Sequence, residues 1–303
     1  MQHETAGDPI TGLRWTRKTT EKIAHELGAL GLAVSARTVA KLLQQMGYSL
    51  RVNHKKIAHG SPKERDEQFA RIAELREGFA AQGSPLISVD TKKKELVGCF
   101  KNPGVAWNRE PVAVNDHDFR SDALGLAIPY GIFDLQANRG TLFVGRSYDT
   151  PQFAVESIEK WWRTEGVQRY PKARRLAILA HGGGSNGTSC RAWKYGLQNA
   201  LCNRHRLTIT VAHYPPGASK WNPIEHRLFS EISKNWSGRP LDSYETILKY
   251  LRSTTTSTGL RVRAHLVRKT YVKGIQIEEV QMNDLSIKHH EPLPKWNYTL
   301  HPR

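Results

Sequence analysis

Residues 176 to 189, LAILAHGGGSNGTS, pass from an apolar run into glycines with His181 at the turning point, and acids stand at two other suggestive places. Asp90 ends the apolar stretch PLISVD, which puts its carboxylate at a strand tip, where sites are commonly built. Glu225 lies beside the helical face formed by Ile224, Leu228 and Ile232. The glycine stretch alone admits more than one chemistry. Gly183 to Gly187 satisfies the G-x-S-x-G spacing of a serine-hydrolase nucleophile turn around Ser185. His181 to Gly184 also spells an esterase oxyanion loop, yet those two devices are separate segments that converge in space, so one stretch cannot serve as both. Gly182 to Ser189 fits a phosphate-binding loop except that Thr188 stands where a lysine must meet the terminal phosphates, which argues against an NTPase.

The elements that must position these residues alternate between strand and helix. LAIPYGIFDL and GTLFVG read as strands joined through the turn-forming QANRG, as in a β-hairpin. Thr150 and Pro151 cap and open a helix whose Phe153, Ile158, Trp161 and Trp162 form an apolar stripe. RLAILA is a fourth strand leading to His181, a helix starts near Ala192, and LTITVAH is a fifth strand before the helix of Glu225.

In front of these lies a helical segment. Ile23, Leu27 and Leu30 recur at helical spacing, Gly31 interrupts, Ser35 can cap a second helix, and Val39, Leu42, Leu43 and Met46 give that helix an apolar face. Gly47 suits the left-handed position just past a helix end. A helix-turn-helix of this kind would present Arg37, Thr38, Lys41, Gln44 and Gln45 to phosphates or base edges. A polar, basic linker follows and runs into a helix with Phe69, Ile72, Leu75 and Phe79 on one side.

Charge points the same way. Lys and Arg outnumber Asp and Glu by 45 to 28 over 303 residues, a net charge of +17 that attracts polyanions. No run of about 18 apolar residues exists to span a bilayer, and the amino end has no signal core, so a cytoplasmic protein with no membrane partner is expected. Cys99, Cys190 and Cys202 form neither a C-x-x-C pair nor an even set, and Cys202, His205 and His213 are better read as packing and surface residues than as a zinc site.

A strand-tip Asp, three antiparallel strands, a helix, another strand tip and a late helical Glu, in that order, resemble the α/β ribonuclease-H-like fold of nucleotidyl transferases, a mixed sheet with flanking helices. SVDTKKKELVGCFKN, HDF, AIPYGIFDL, FAVESIEKWW, GGGSNG, SKWNPIEHRLFS and WNYTLHPR resemble, in the same order and from about Gly7 to Arg303, the DDE transposases of bacterial insertion sequences, specifically the Rhodopirellula-type family. The resemblance implies DNA cleavage at element ends and strand transfer by three acids and divalent metal, Mg²⁺ or Mn²⁺. Two such ions about 4 Å apart clamp the attacking and leaving oxygens of an in-line displacement. Carried onto this chain, the first acid is Asp90 and the last Glu225; the middle position, where family members resemble ADGGGSNG, is His181. An imidazole offers one neutral, softer nitrogen where a carboxylate offers two charged oxygens, so impaired magnesium chemistry is expected.

Asp116, Asp118, Asp134 and Asp149 lie in or beside shared motifs and are the acids available to compensate, Asp134 at a strand end that could approach Asp90. Glu95 reads as a charge balancer. Lys92, Lys93 and Lys94 beside Asp90, and Lys220 before Glu225, are expected to meet phosphates near the reacting bond. Arg261 and Arg263 belong to a carboxyl-terminal stretch free of acids, read as a further DNA track. The resemblance also places Met1 inside the family's later helix-turn-helix region, so the amino end is expected to be short. The expected organisation is a helix-turn-helix region at 1–60, a linker helix at 61–84, the ribonuclease-H-like domain at 85–252 and a basic extension at 253–303, with DNA as partner, self-association, and no small-molecule substrate.

Overall fold

The computed structural model of the protein describes residues 5–7, 14–16, 18–50 and 62–303. The first part of the basic linker, 51–61, and the amino-terminal residue Met1 lie outside the described residues. Two compact units result, 1–57 and 58–303.

In the first unit, β1 (Thr5–Gly7) and β2 (Arg14–Thr16) pair antiparallel, and two ten-residue helices follow, α1 (Thr20–Ala29) and α2 (Ala36–Gln45). Each helix is started by a hydroxyl. Thr19 Oγ1 accepts from the Lys22 N–H, and Ser35 Oγ from the Thr38 N–H. Gly31 and Gly47 end them at φ of 84° and 82°, the left-handed region that side chains disfavour. Ile23 and Val39 are buried, whereas Leu30, Leu42 and Met46, which share their apolar faces, are exposed. Two short helices bury one seam between them, and the rest of an apolar stripe needs a further layer.

The second unit is built on a nine-stranded mixed sheet. Its strands are β3 (Leu86–Thr91), β4 (Glu95–Val97), β5 (Gly125–Asp134), β6 (Arg139–Gly145), β7 (Arg175–His181), β8 (Thr208–Tyr214), β9 (Arg261–Val267), β10 (Ile287–His289) and β11 (Asn297–Leu300). Their order is β10-β11-β8-β7-β3-β5-β6-β9, with β4 added against β5. β3, β5 and β6 form an antiparallel meander, while β7 and β8 run parallel to β3 on its other side. This is the ribonuclease-H-like order, in which helical crossovers are what allow β7 and β8 to lie parallel to β3. The stretch 253–303 contributes β9, β10 and β11 to the same sheet.

Helices cover both faces. On one lie α4 (Pro151–Trp161), extended by a wide turn into α5 (Val167–Arg169), and α6 (Arg191–Leu197). Thr150 Oγ1 accepts from the Phe153 N–H, Pro151 takes the first helical position, and Phe153, Ile158, Trp161 and Trp162 are all buried. On the other lie α3 (Pro62–Ala81), α7 (Ser230–Asn235) and α8 (Tyr244–Ser253). A short helix, α9 (Glu279–Asn283), precedes β10. Among the described residues, no helix is long and apolar enough to cross a membrane.

Candidate nucleotidyl-transfer site

Sheet register brings the first strand tip and the glycine turn together. Val89 pairs with Ala180 across the parallel β3 and β7, so one step further along each strand sets Asp90 level with His181. Alternation puts both side chains on the face opposite Val89 and Ala180, the face that α3 and α7 cover. His181 in turn pairs with Tyr214 at the end of β8. Glu225 arrives on the same face, in a π-helical turn, Glu225–Phe229, that widens the start of α7. Ile224, Leu228 and Ile232 are fully buried below it, which turns Glu225 to the edge of the core.

The electrostatics connect these groups. Burial pushes the Asp90 carboxyl up to about 7; the Thr91 N–H, donated to Oδ1 at 2.8 Å, opposes the shift, and the Asp149 charge adds to it. Glu225 is also raised, by burial first and then by Asp90, with Lys92 and His181 opposing. His213, fully buried behind the turn, is lowered to about 4 by burial, and its Nδ1 lies 3.3 Å from the His181 carbonyl oxygen. Among the described residues, the buried side-chain polar atoms without a partner are His181 Nδ1, His213 Nε2, Tyr214 Oη and Asn222 Nδ2. They lie at or just beyond the ends of β7 and β8, and stranded polar groups of this kind concentrate where function outweighs stability.

The compensating acids separate by register. Asp134 pairs with Ile87, at the opposite end of β3 from Asp90, so it does not approach the site as expected. It is a fully buried anchor that accepts from Arg169 Nη1 at 2.7 Å, from Tyr170 Oη at 2.9 Å and from the Ala137 N–H at 3.1 Å. Asp149 is the acid near Asp90, accepting from Thr91 Oγ1 at 3.2 Å, with Lys94 Nζ 3.7 Å from its other oxygen. Asp116 and Asp118 are exposed on the long loop between β4 and β5. Glu95 balances Lys92 at 3.2 Å.

The basic residues divide in the same way. Lys92 is buried, held by Glu95 and by the Trp236 ring 4.5 Å from its ammonium, and is not offered to a phosphate. Lys93 and Lys94 are exposed. Exposed Lys220 lies over the Trp221 ring at 4.0 Å, and Arg65 of α3 lies 4.6 Å from the same ring. Arg65 was not legible as part of the site, because α3 reaches it only through the fold. Arg261 and Arg263 are exposed on β9, three strands from β3. In the first unit, Arg37, Thr38, Lys41, Gln44 and Gln45 are all exposed on α2.

Ser185 is buried in a 3₁₀ turn, Gly184–Asn186, whereas an elbow nucleophile must be open to its substrate, so the hydrolase reading loses its support. Asn186 beside it accepts from the buried Tyr130 Oη at 3.0 Å, pinning the glycine turn to β5. Among the described residues, no three His, Cys, Asp or Glu side chains are grouped as a ligand set for a metal ion, and Cys202, His205 and His213 form none. Asp90 and Glu225 remain hard oxygen donors whose charged forms are disfavoured by burial, a pairing suited to one divalent cation. His181 does not match the third carboxylate that a second hard ion would require.

A ribonuclease-H-like sheet with an acid at the tip of β3 and another on the helix after β8 is the frame of a DDE-type transposase. The chain belongs to the Rhodopirellula transposase DDE domain family, whose model matches residues 1–302. Similar solved structures include the Mos1 transposase paired-end complex with the left transposon end, at 16% identity and a TM-score of 0.43, covering 77% of this chain and 65% of that one. The Mos1 strand transfer complex is 16% identical with a TM-score of 0.45, covering 77% and 64%. The Mos1 mariner paired-end complex with Mn is 17% identical with a TM-score of 0.44, covering 77% and 65%. The match thus spans just under two thirds of each of these chains. No curated protein sequence matches.

Proposed function

We propose that this protein binds DNA as an insertion-sequence transposase whose cleavage and strand transfer are impaired by the imidazole at the middle acid position. The observation that carries the reading is the register that sets His181 level with Asp90, on the face where Glu225 arrives. Asp90 and Glu225 would hold a divalent cation, Mg²⁺ or Mn²⁺, which when bound supplies Lewis-acid activation of a phosphoryl oxygen. His181 contributes a nitrogen that Mn²⁺ accepts more readily than Mg²⁺. Lys93, Lys94, Lys220 and Arg65 would steady the phosphate backbone by charge, and the polar side of α2 would supply a separate DNA contact. Self-association and a cytoplasmic location belong to the same reading, the first checked by sedimentation with and without DNA.

The test is nicking of supercoiled DNA by the protein and by His181→Asp, each with Mg²⁺ and with Mn²⁺, with Asp90→Ala as control. Nicking gained in His181→Asp and abolished by Asp90→Ala is the expected result. Full Mg²⁺-dependent nicking by the unaltered chain would refute the impairment. The second reading is a non-catalytic DNA-binding remnant, supported by the neutral imidazole of His181 standing level with Asp90 where the family carries a carboxylate. It predicts salt-sensitive DNA binding with no nicking even in His181→Asp.

A further inference from the structure

Two polar side chains are buried in the apolar layer that joins β3 to the turn of Glu225. Ser88 and Asn222, each 0% exposed, are hydrogen-bonded, with Ser88 Oγ donating to Asn222 Oδ1 at 2.5 Å across 134 residues of chain. Ser88 stands two residues before Asp90 and therefore on the same face of β3. The Asn222 carbonyl oxygen accepts from the Glu225 N–H at 3.0 Å. One residue thus holds the strand of the first acid by its side chain and the turn of the last acid by its backbone.

An apolar pair would be the simpler way to glue a helix to a sheet. Burying a hydroxyl and an amide costs desolvation that one hydrogen bond only partly returns, and here Asn222 Nδ2 is left without a partner. What a directional bond adds is a fixed distance and register, which shape-filling side chains leave looser. We propose that Ser88 and Asn222 are positioning residues whose buried hydrogen bond sets Asp90 and Glu225 in register for a divalent cation. The inference rests on the reading of those two acids as the ion's ligands.

Mn²⁺ affinity, measured by calorimetry and by electron paramagnetic resonance of free ion, tests it on the full chain and in the His181→Asp background. Asp90→Ala is expected to lose binding, and Ser88→Ala to weaken it about tenfold, the scale of residues that orient metal ligands. Ser88→Thr, which keeps the hydroxyl, should restore most of the affinity. Ser88→Ala with Asn222→Leu, which strands no polar group, should melt near the parent temperature and still bind weakly, an outcome that a merely structural bond would not give. Parent-like Mn²⁺ affinity in Ser88→Ala and in the double variant, with binding lost in Asp90→Ala, would overturn the positioning role alone. Equal binding, or none, in the parent chains and their Asp90→Ala variants would overturn the ligand assignment and the inference with it.

Discussion

Gly131 and Phe229 approach so closely that a Cβ on the glycine would lie 2.5 Å from the phenylalanine ring and 3.0 Å from Ile224. Gly131 is the partner of Asp90 across β3 and β5, and Phe229 closes the turn that begins at Glu225. The missing side chain lets the acidic turn settle onto the strand beside the first acid. Gly131→Ala is expected to cost about 2 kcal/mol through overpacking and to weaken Mn²⁺ binding as the turn lifts. Urea unfolding and a Mn²⁺ titration check the two effects separately.

Asp90 predicts a pH signature. Its carboxyl is raised from the usual 3.8 to about 7 by burial, so the folded protein binds the proton more tightly than the unfolded chain. Stability from this group is present below about pH 4 and lost as pH rises through 7. Asp90→Asn, which cannot ionise, is therefore expected to melt above the parent at pH 8, with the gain shrinking toward pH 4. Melting curves across that range without divalent ions provide the measurement, and a gain independent of pH would contradict the assignment.

Asp134 should matter for stability and not for chemistry. Asp134→Ala leaves Arg169 and Tyr170 without their shared acceptor and is expected to cost about 3 kcal/mol. In the His181→Asp background, nicking per folded molecule should be unchanged. A matching loss of nicking would mean that Asp134 does reach the centre.

On α2, Lys41→Ala is expected to weaken binding to different DNA sequences by similar factors and to lower the slope of log affinity against log salt by about 1. Gln44→Ala should instead blur sequence preference with little change in slope. Binding isotherms at several salt concentrations on two unrelated duplexes distinguish the cases.

Local structure was legible because it is local. The short apolar run of PLISVD, the Thr150-Pro151 start of α4, the Ser35 cap of α2 and the stripe of Ile224, Leu228 and Ile232 each state their conformation within one strand or a few turns. Those patterns determined that Asp90 would stand at a strand tip and Glu225 at a helix start. They left Lys92 indistinguishable from Lys93, and Asp134 from Asp149, since burial depends on what arrives from elsewhere in the chain. A serine in the apolar stretch LISVD was the readable trace of Ser88, but nothing local pointed to Asn222 as its partner. Tertiary structure alone decided those matters. Sheet register sends Asp134 to the far end of β3, the antiparallel meander of β3, β5 and β6 brings Asp149 to Thr91, and the crossovers bring Asn222 to Ser88. Such contacts join segments 58 and 134 residues apart, where they are fixed by the order of the whole sheet and not by the propensity of any one stretch.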